Sequence, residues 1–433
     1  MSIDHKQTLE TLRTLVRFNT VEGTPSPSAP FGQGVRDCLD YVLALTASWG
    51  WRTADLDGYC GWAEVGEGPL FGILGHLDTV PFGEGWTHDP LGAEIEDGKL
   101  YGRGTQDDKG PMVAALYAVR ALEEEGKLPP YRLRFIFGCN EETGWACIER
   151  YLATEEHPLY SISPDGDFPV INCEKGLAHV ELSFPCPEWL LELSAGERVN
   201  MVPNKASALV SRMSDVAFTY ALHYGVRVIK EGALYRLSAT GKSAHGSTPF
   251  LGENALTKLL TALTSLDEVM NVVGRALADH TGTAAGIGFS DEPSGGLTMN
   301  AGTAHIVDGN LVFGLDIRFP ISYTQQDVLQ GLSRTFPFAT VRVLHDHPSL
   351  YLSADHPLVV GALDAYEAVM GTRPAPLTIG GATYARALPN AVAFGPVFPG
   401  DEEMCHQADE YVRLDRLEQM TNIYHRFFHD LHL

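Results

Sequence analysis

The run Phe71-Gly72-Ile73-Leu74-Gly75 is short, wholly apolar and followed at once by His76-Leu77-Asp78. A segment of that kind reads as a strand buried on both faces, which is how strands inside parallel sheets are composed. The chain around it alternates in the same sense. Leu9, Leu12, Leu15 and Val16 recur at helical spacing, and a second helix runs through Cys38, Leu39, Val42 and Leu45 after a Pro/Ser/Gly-rich loop from Thr24 to Gly34. The segment from Pro111 to Glu125 opens with proline in its first turn and carries Val113, Leu116, Val119 and Leu122 on one face, so it is predicted helical. Residues 131–137 alternate basic and apolar side chains as a strand, and 142–152 are predicted as a helix. Strands alternating with helices indicate an α/β domain around a largely parallel sheet.

A chain of 433 residues is too long for one ordinary core, and the texture shows where a second one lies. From Leu177 the pattern becomes strand-rich, at 179–184, 234–240 and 310–318, around one clear helix at 253–266. Near Leu350 the first texture returns: a helix through Leu358, Val359, Leu363 and Tyr366, a strand at 391–394 and a last helix from Arg413 to about His429. The expectation is an α/β domain with a central mixed, largely parallel sheet, in two parts (1–176 and 351–433), interrupted by an inserted α+β domain at 177–350.

Charge narrows the partners. Asp plus Glu number 55 against 31 Lys plus Arg, a formal net charge of -24. Such a surface repels phosphate backbones and anionic lipid, which argues against nucleic-acid and membrane partners. No stretch approaches eighteen apolar residues, and the polar start Met1-Ser2-Ile3-Asp4-His5-Lys6 does not resemble a secretory signal. The seven cysteines are odd in number and free of CxxC spacing, so the expected location is the reducing cytoplasm.

Five short segments carry the chemistry, each setting acidic or imidazole groups beside glycine or proline at a predicted strand end, where open α/β sheets hold their sites. In Gly75-His76-Leu77-Asp78-Thr79-Val80-Pro81, His76 and Asp78 are two apart and share one side of an extended chain. A ligand histidine is usually steadied by a carboxylate on its other nitrogen, which Asp78 can supply. By itself His-x-Asp is equally a structural histidine. Gly102-Arg103-Gly104-Thr105-Gln106-Asp107-Asp108-Lys109-Gly110 bends sharply into the Pro111 helix, and its Asp pair would also serve as a cap. Asn140-Glu141-Glu142-Thr143-Gly144 ends an apolar strand, and adjacent glutamates there can divide metal binding from proton transfer. Ser163-Pro164-Asp165-Gly166 and Met404-Cys405-His406-Gln407-Ala408-Asp409-Glu410 complete the set. Together they offer two histidines and three carboxylates, enough for two zinc ions sharing one bridge.

The order HLDTVP, GRGTQDDKG, NEETG, SPDG and HQADE resembles the zinc metallopeptidase family of aminoacylases, succinyl-diaminopimelate desuccinylases, glutamate carboxypeptidases and dipeptidases. The stretches NEETGW, SPDGDFPVINCEKG and GGATYAR are most similar to the PepV-type Xaa-dipeptidases. The resemblance implies a catalytic domain with an inserted lid, and cleavage of dipeptides, carnosinase-like cleavage included, by a water lying between two zinc ions (manganese or cobalt being the alternatives). By position, His76 and Asp165 would hold one metal, Glu142 and His406 the other, and Asp107 would bridge them, joined to Asp108 by a cis peptide. Asp78 would orient His76, and Glu141 would be the general base that passes the water's proton to the leaving amine.

In the inserted domain, Gly241-Lys242-Ser243-Ala244-His245-Gly246-Ser247 matches the segment whose histidine stabilises the oxyanion, which makes His245 both a catalytic and a substrate-binding candidate. Asn200, Arg318 and Gly381 stand where the family places substrate contacts, and a planar guanidinium suits a substrate's C-terminal carboxylate. Ala382 departs from the pattern, replacing a third glycine. Two other histidine groups, His345 with His347 in a loop before a proline and His425 with His429 and His432 at the C-terminus, match no ligand motif and are read as surface or packing residues. The enlarged lid favours a monomer over a homodimer. Within the same zinc chemistry the alternative is an N-acyl amino-acid deacylase or an exo-carboxypeptidase; outside it, an inactive metal- or peptide-binding homologue.

Overall fold

The computed structural model describes residues 3–433 and separates into two compact units. Unit 1 comprises Met1–Asn172, Leu352–Leu377 and Thr383–Leu433; unit 2 comprises Cys173–Tyr351 and Thr378–Ala382. The short piece Thr378–Ala382, expected with the second part of the α/β domain, groups with unit 2. Local ties account for this: the Lys175 amide donates to Ile379 O (3.1 Å), Thr378 Oγ1 to Pro293 O (3.1 Å) and Arg318 Nη1 to Gly380 O (3.0 Å).

Unit 1 is built on a mixed sheet. Its strands follow the spatial order Arg52–Leu56, Cys60–Val65, Arg132–Gly138, Leu70–His76, Tyr160–Ser163, Ala391–Ala393 and Ile171–Glu174, the last being where the chain leaves the unit. The four strands from Arg132–Gly138 to Ala391–Ala393 pair in parallel, and both flanks are antiparallel. Leu70–His76 lies in the middle and is buried along its whole length, as its unbroken apolar run requires. Helix Lys109–Glu125 is buried on nearly every side from Lys109 to Leu122 and stops at Gly126, whose left-handed backbone (φ 66°) closes the last turn. It packs against Leu414–His429, which in turn packs on Pro357–Met370.

Unit 2 is an antiparallel sheet in the order Arg227–Glu231, Leu234–Thr240, Lys205–Val210, Leu190–Ala195, Thr298–Val307, Asn310–Phe319, Gly176–Pro185, Thr340–His347. The helices Ala255–Leu263, Glu268–Ala278, Asp215–His223 and Gln325–Thr335 help to form one apolar core with it. One clear helix was expected there. The extra ones have short apolar faces but legible starts: Asp267 caps one with its side chain, and Thr324 with Asp327 forms a reciprocal capping box. His345 and His347 lie in a strand rather than a loop, on the same face, with their Nε2 atoms 3.0 Å apart.

Candidate metal centre

The central strand of unit 1 ends on His76, and the next strand, Arg132–Gly138, ends just before Asn140. Their parallel register, His76 opposite Gly138, brings the two loops that follow side by side. The turn after Gly138 holds Glu141 and Glu142 outside any helix, since the next helix begins only at Ala146. The expected helix start at 142 is therefore a turn. Asn140 holds it by accepting the Ala146 amide at Oδ1 (3.1 Å) and donating Nδ2 to Thr143 Oγ1.

Asp107 stands between the two imidazoles. Its Oδ1 is 2.9 Å from His76 Nε2 and its Oδ2 is 2.9 Å from His406 Nε2. Both Glu142 carboxylate oxygens lie 3.2 Å from His406 Nε2. One ligand atom each from His76, Asp107 and Glu142 falls within 4.8 Å of the others, the spacing of a shared cation. Asp165 accepts the Tyr384 backbone amide, and its charge acts on Asp107, His76 and Glu142. The Asp107–Asp108 peptide is cis.

Asp78 has two contacts. Its carbonyl oxygen, rather than its carboxylate, is the near partner of His76 Nδ1 (3.0 Å against 3.5 Å), while the carboxylate accepts the amides of Glu141 and Glu142 (3.1 Å each). It thus ties the glutamate turn to the His76 strand end. Asp108 is wholly buried and accepts the His76 amide at Oδ2 (3.1 Å). A Cβ at Gly75 would come to 2.2 Å of that oxygen, so only glycine fits beneath the pair.

Three positioning groups were not assigned a role from sequence. Glu410, fully buried, accepts the amides of Gly104 (3.1 Å), Gln106 (2.8 Å) and Asp107 (3.2 Å) at Oε1 and the Arg103 guanidinium at Oε2 (2.8 Å). It fixes the loop that presents Asp107, and the last letter of HQADE was its signal. Trp145, in a left-handed conformation (φ 63°), donates Nε1 to Glu141 Oε1 at 3.0 Å. Tyr384 is buried edge-on to His76 (ring centroids 6.2 Å apart) with its hydroxyl 3.0 Å from Cys147 Sγ.

The electrostatics are those of a site short of positive charge. No lysine or arginine pairs with Asp107, Glu141, Glu142 or Asp165 among the described residues. Burial, then the charge of Asp107, pushes the Asp165 carboxyl up to about 7. Burial and the surrounding carboxylates hold Glu141 well above the usual carboxylate range, with His76 opposing. Burial would also raise Asp107, but hydrogen bonds with His406 and His76 outweigh it and bring the group down. Hydrogen bonds to Asp107 and Glu142 lift His406 to about 10. Without a metal, the site answers its crowded anions by holding protons. That donor set, two imidazoles and three carboxylates with no fixed cation, fits divalent metal of the zinc, manganese or cobalt type.

The remaining sequence-predicted residues lie in unit 2, where the structure brings their segments together. The Gly246 amide donates to Asn200 O (2.7 Å), Met201 bridges to His245, and Arg318 reaches Gly380 O (3.0 Å) beside Gly381. His245 Nδ1 lies 2.7 Å from Ser247 Oγ. Asn300 donates Nδ2 to Val199 O (3.1 Å) and Met201 O (2.9 Å), which fixes the backbone on both sides of Asn200. Ala382 is exposed and is not among the residues at positive φ.

Comparison with known proteins agrees in family and fold. The family model described as Peptidase family M20/M25/M40 matches residues 72–430. The relative named "Putative dipeptidase YtjP" of Bacillus subtilis (strain 168) is 37% identical, over 96% of this chain and 95% of its own. "Putative dipeptidase SSP1012" of Staphylococcus saprophyticus is 35% identical over the same shares. Among solved structures, the M20 family metallo-carboxypeptidase Sso-CP2 from Sulfolobus solfataricus superposes with TM-score 0.59 at 17% identity, covering 98% of each chain. Human carnosine dipeptidase 1 superposes with TM-score 0.56 at 17% identity, covering 98% of this chain and 95% of that one.

Proposed function

The chain belongs to peptidase family M20/M25/M40 and is a metal-dependent peptide hydrolase; from that premise we propose that it is a dinuclear-zinc dipeptidase. The observation that carries the reading is Asp107 placed between His76 and His406 with one oxygen toward each. His76 and Asp165 would hold one zinc, Glu142 and His406 the second, and Asp107 both. When bound, the metals polarise the scissile carbonyl and make the attacking water more acidic.

The chain's own residues do the rest. Glu141 is the general base: its carboxylate contacts neither imidazole within hydrogen-bond distance and is held by Trp145 Nε1 instead. An oxygen so placed accepts the water's proton and returns it to the leaving amine. Asp78 keeps Glu141 and Glu142 at fixed separation by binding both amides. For substrate recognition we assign Asn200, His245, Arg318 and Gly381, with Arg318 taking the C-terminal carboxylate and His245 the developing oxyanion. The seven cysteines are free thiols, which supports a cytoplasmic setting, and among the described residues no helix is long and apolar enough to cross a membrane.

The test is a substrate panel on protein of measured metal content. About two zinc ions per chain, activity lost to chelation, and cleavage of free dipeptides in preference to N-acetyl amino acids and tripeptides are expected. Efficient cleavage of N-acetyl amino acids would overturn the dipeptidase reading and favour the deacylase. Full activity with one metal per chain would overturn the dinuclear one.

A further inference from the structure

Within unit 2, one buried carboxylate lies at the centre of the segments named above. Asp316 is completely buried in the strand Asn310–Phe319. The strand register sets it opposite Asn300 on one side and His179 on the other, so the three share one face of the sheet. Arg318, two residues on, shares that face as well. A Cβ at Gly246, the residue after His245, would come to 2.4 Å of Asp316 Oδ2 and 2.9 Å of Asn200 O. Only a glycine lets the His245 loop lie this close to the carboxylate.

Asp316 grips Arg318 along the side of the guanidinium, accepting Nε at Oδ1 (2.6 Å) and Nη2 at Oδ2 (3.0 Å). Arg318 Nη1 donates to Gly380 O (3.0 Å). A guanidinium has five N–H donors in a rigid plane. Three are now used, which leaves one N–H on each terminal nitrogen for a further acceptor, and a carboxylate can take two such donors at once. His179 does not compete for Asp316: its Nε2 lies 3.8 Å away without a hydrogen bond, and burial depresses its basicity. Among the described residues Arg318 is therefore the cation that answers Asp316.

We propose that Asp316 is a positioning residue for substrate recognition, fixing the guanidinium of Arg318 so that its free terminal edge receives the C-terminal carboxylate of the dipeptide. The inference rests on the reading of Arg318 as the carboxylate partner. An arginine side chain left to itself samples many rotamers, and binding must then freeze it. Held on two sides before substrate arrives, it has little freedom left to lose. The effect belongs to the carboxylate alone, so it is absent for a substrate lacking that group.

The experiment measures kcat and KM for a dipeptide and for its C-terminal amide on zinc-loaded wild type, Asp316→Asn, Asp316→Glu, Arg318→Ala and the Asp316→Asn/Arg318→Ala double variant. The quantity read is the ratio of kcat/KM between the two substrates, which does not depend on the fraction of protein folded. Asp316→Asn is expected to lower that ratio roughly tenfold, the factor for ordering one long side chain, mainly through KM for the free acid. Asp316→Glu, which keeps the charge but displaces it, should fall between wild type and Asp316→Asn. The double variant should match Arg318→Ala, since Asp316 acts only through it. If Arg318→Ala collapses the ratio while Asp316→Asn and Asp316→Glu leave it at the wild-type value, the positioning role is overturned and the reading of Arg318 stands. If Arg318→Ala leaves the ratio unchanged, both fall. A purely structural Asp316 would reduce activity on both substrates equally, which also overturns the proposal.

Discussion

The candidate metal centre of unit 1 and the Asp316 site of unit 2 bury charge in opposite ways. In unit 2, Asp316 is answered within the fold by Arg318, bidentate and at hydrogen-bond distance. In unit 1, the carboxylates of Asp107, Glu141, Glu142 and Asp165 crowd around two histidines, with no lysine or arginine paired to them among the described residues. The first arrangement is complete without a ligand. Its cost of desolvation is met by a partner that never leaves, so its use is to hold geometry. The second is complete only with protons or with metal. Buried anions left without a fixed cation mark the place where chemistry is done, and buried ion pairs mark the scaffold that aligns it.

The sharpest break in that comparison comes from Glu141. Glu141→Gln preserves the shape and the Trp145 contact but removes the basic oxygen. Turnover should drop by about 10²–10⁴-fold, the usual worth of a general base, while metal content stays at the wild-type level. Steady-state assays with metal analysis on the same sample check this. Retention of more than about a tenth of the activity would place the base elsewhere. In unit 2, by contrast, Asp316→Asn should move KM more than kcat.

Second in size is the metal's effect on stability, whose sign follows from the raised carboxyl of Asp165. In the metal-free fold this group holds its proton up to about 7, far above the ordinary range of an aspartate. A carboxyl raised on folding favours the folded state below the unfolded value, and that contribution is lost as pH climbs through the folded one. Metal-free protein should therefore lose thermal stability between about pH 4 and pH 7. Zinc requires the deprotonated ligands, so the gain in melting temperature on adding zinc should widen over the same interval. A gain that is flat or shrinks with rising pH would contradict the assignment of Asp165 as a ligand.

A smaller effect is expected at Trp145. Trp145→Phe removes the indole N–H donor to Glu141 while keeping an aromatic ring. A hydrogen bond to a charged group is worth about 1.5–3 kcal/mol, so kcat should fall by about ten- to a hundredfold, with KM little changed. A change confined to KM would show that the indole serves substrate packing and not the base.

Much of unit 1 was legible because its signals are local. The apolar run at 71–75 became the buried central strand, and four of the five acidic or histidine motifs fall at or just after a strand end, while the fifth leads into the strand Tyr411–Arg413. What the motifs leave open is which atom does the work. Asp78 was expected to steady His76 with its carboxylate, yet the carbonyl is nearer and the carboxylate binds two amides. Glu410 and Trp145 sat inside quoted motifs without a role, because their partners are backbone amides and a side chain brought near by folding. In unit 2 the strands Leu234–Thr240 and Asn310–Phe319 were readable from β-rich composition, but Asp316 and Asn300 were not. A buried Asp in a strand is distinguished only by its cross-strand partners, one of which, His179, lies 137 residues away. The helices Asp215–His223, Glu268–Ala278 and Gln325–Thr335 were missed for a simpler reason: their caps are clear, but their apolar faces are only two or three turns long.

The least disruptive change tests the one departure from the family pattern. Ala382 replaces the third glycine of that pattern. The residue is exposed and not at positive φ, so the fold does not need glycine there and the methyl is not wedged against a neighbour. Gly380 and Gly381 beside it would also accept a Cβ without a close clash, their nearest atoms lying at 3.4 and 3.6 Å. Ala382→Gly should therefore act mainly through the unfolded chain, lowering stability by about 0.4–1 kcal/mol as the backbone gains freedom. Activity on free dipeptides should stay within about twofold of wild type, a difference of about 0.4 kcal/mol in transition-state binding. The preference over N-acetyl amino acids should be equally unmoved. A tenfold shift in that preference would show that the methyl touches substrate, and would move part of the specificity from the Asp316–Arg318 pair to the loop that Arg318 anchors.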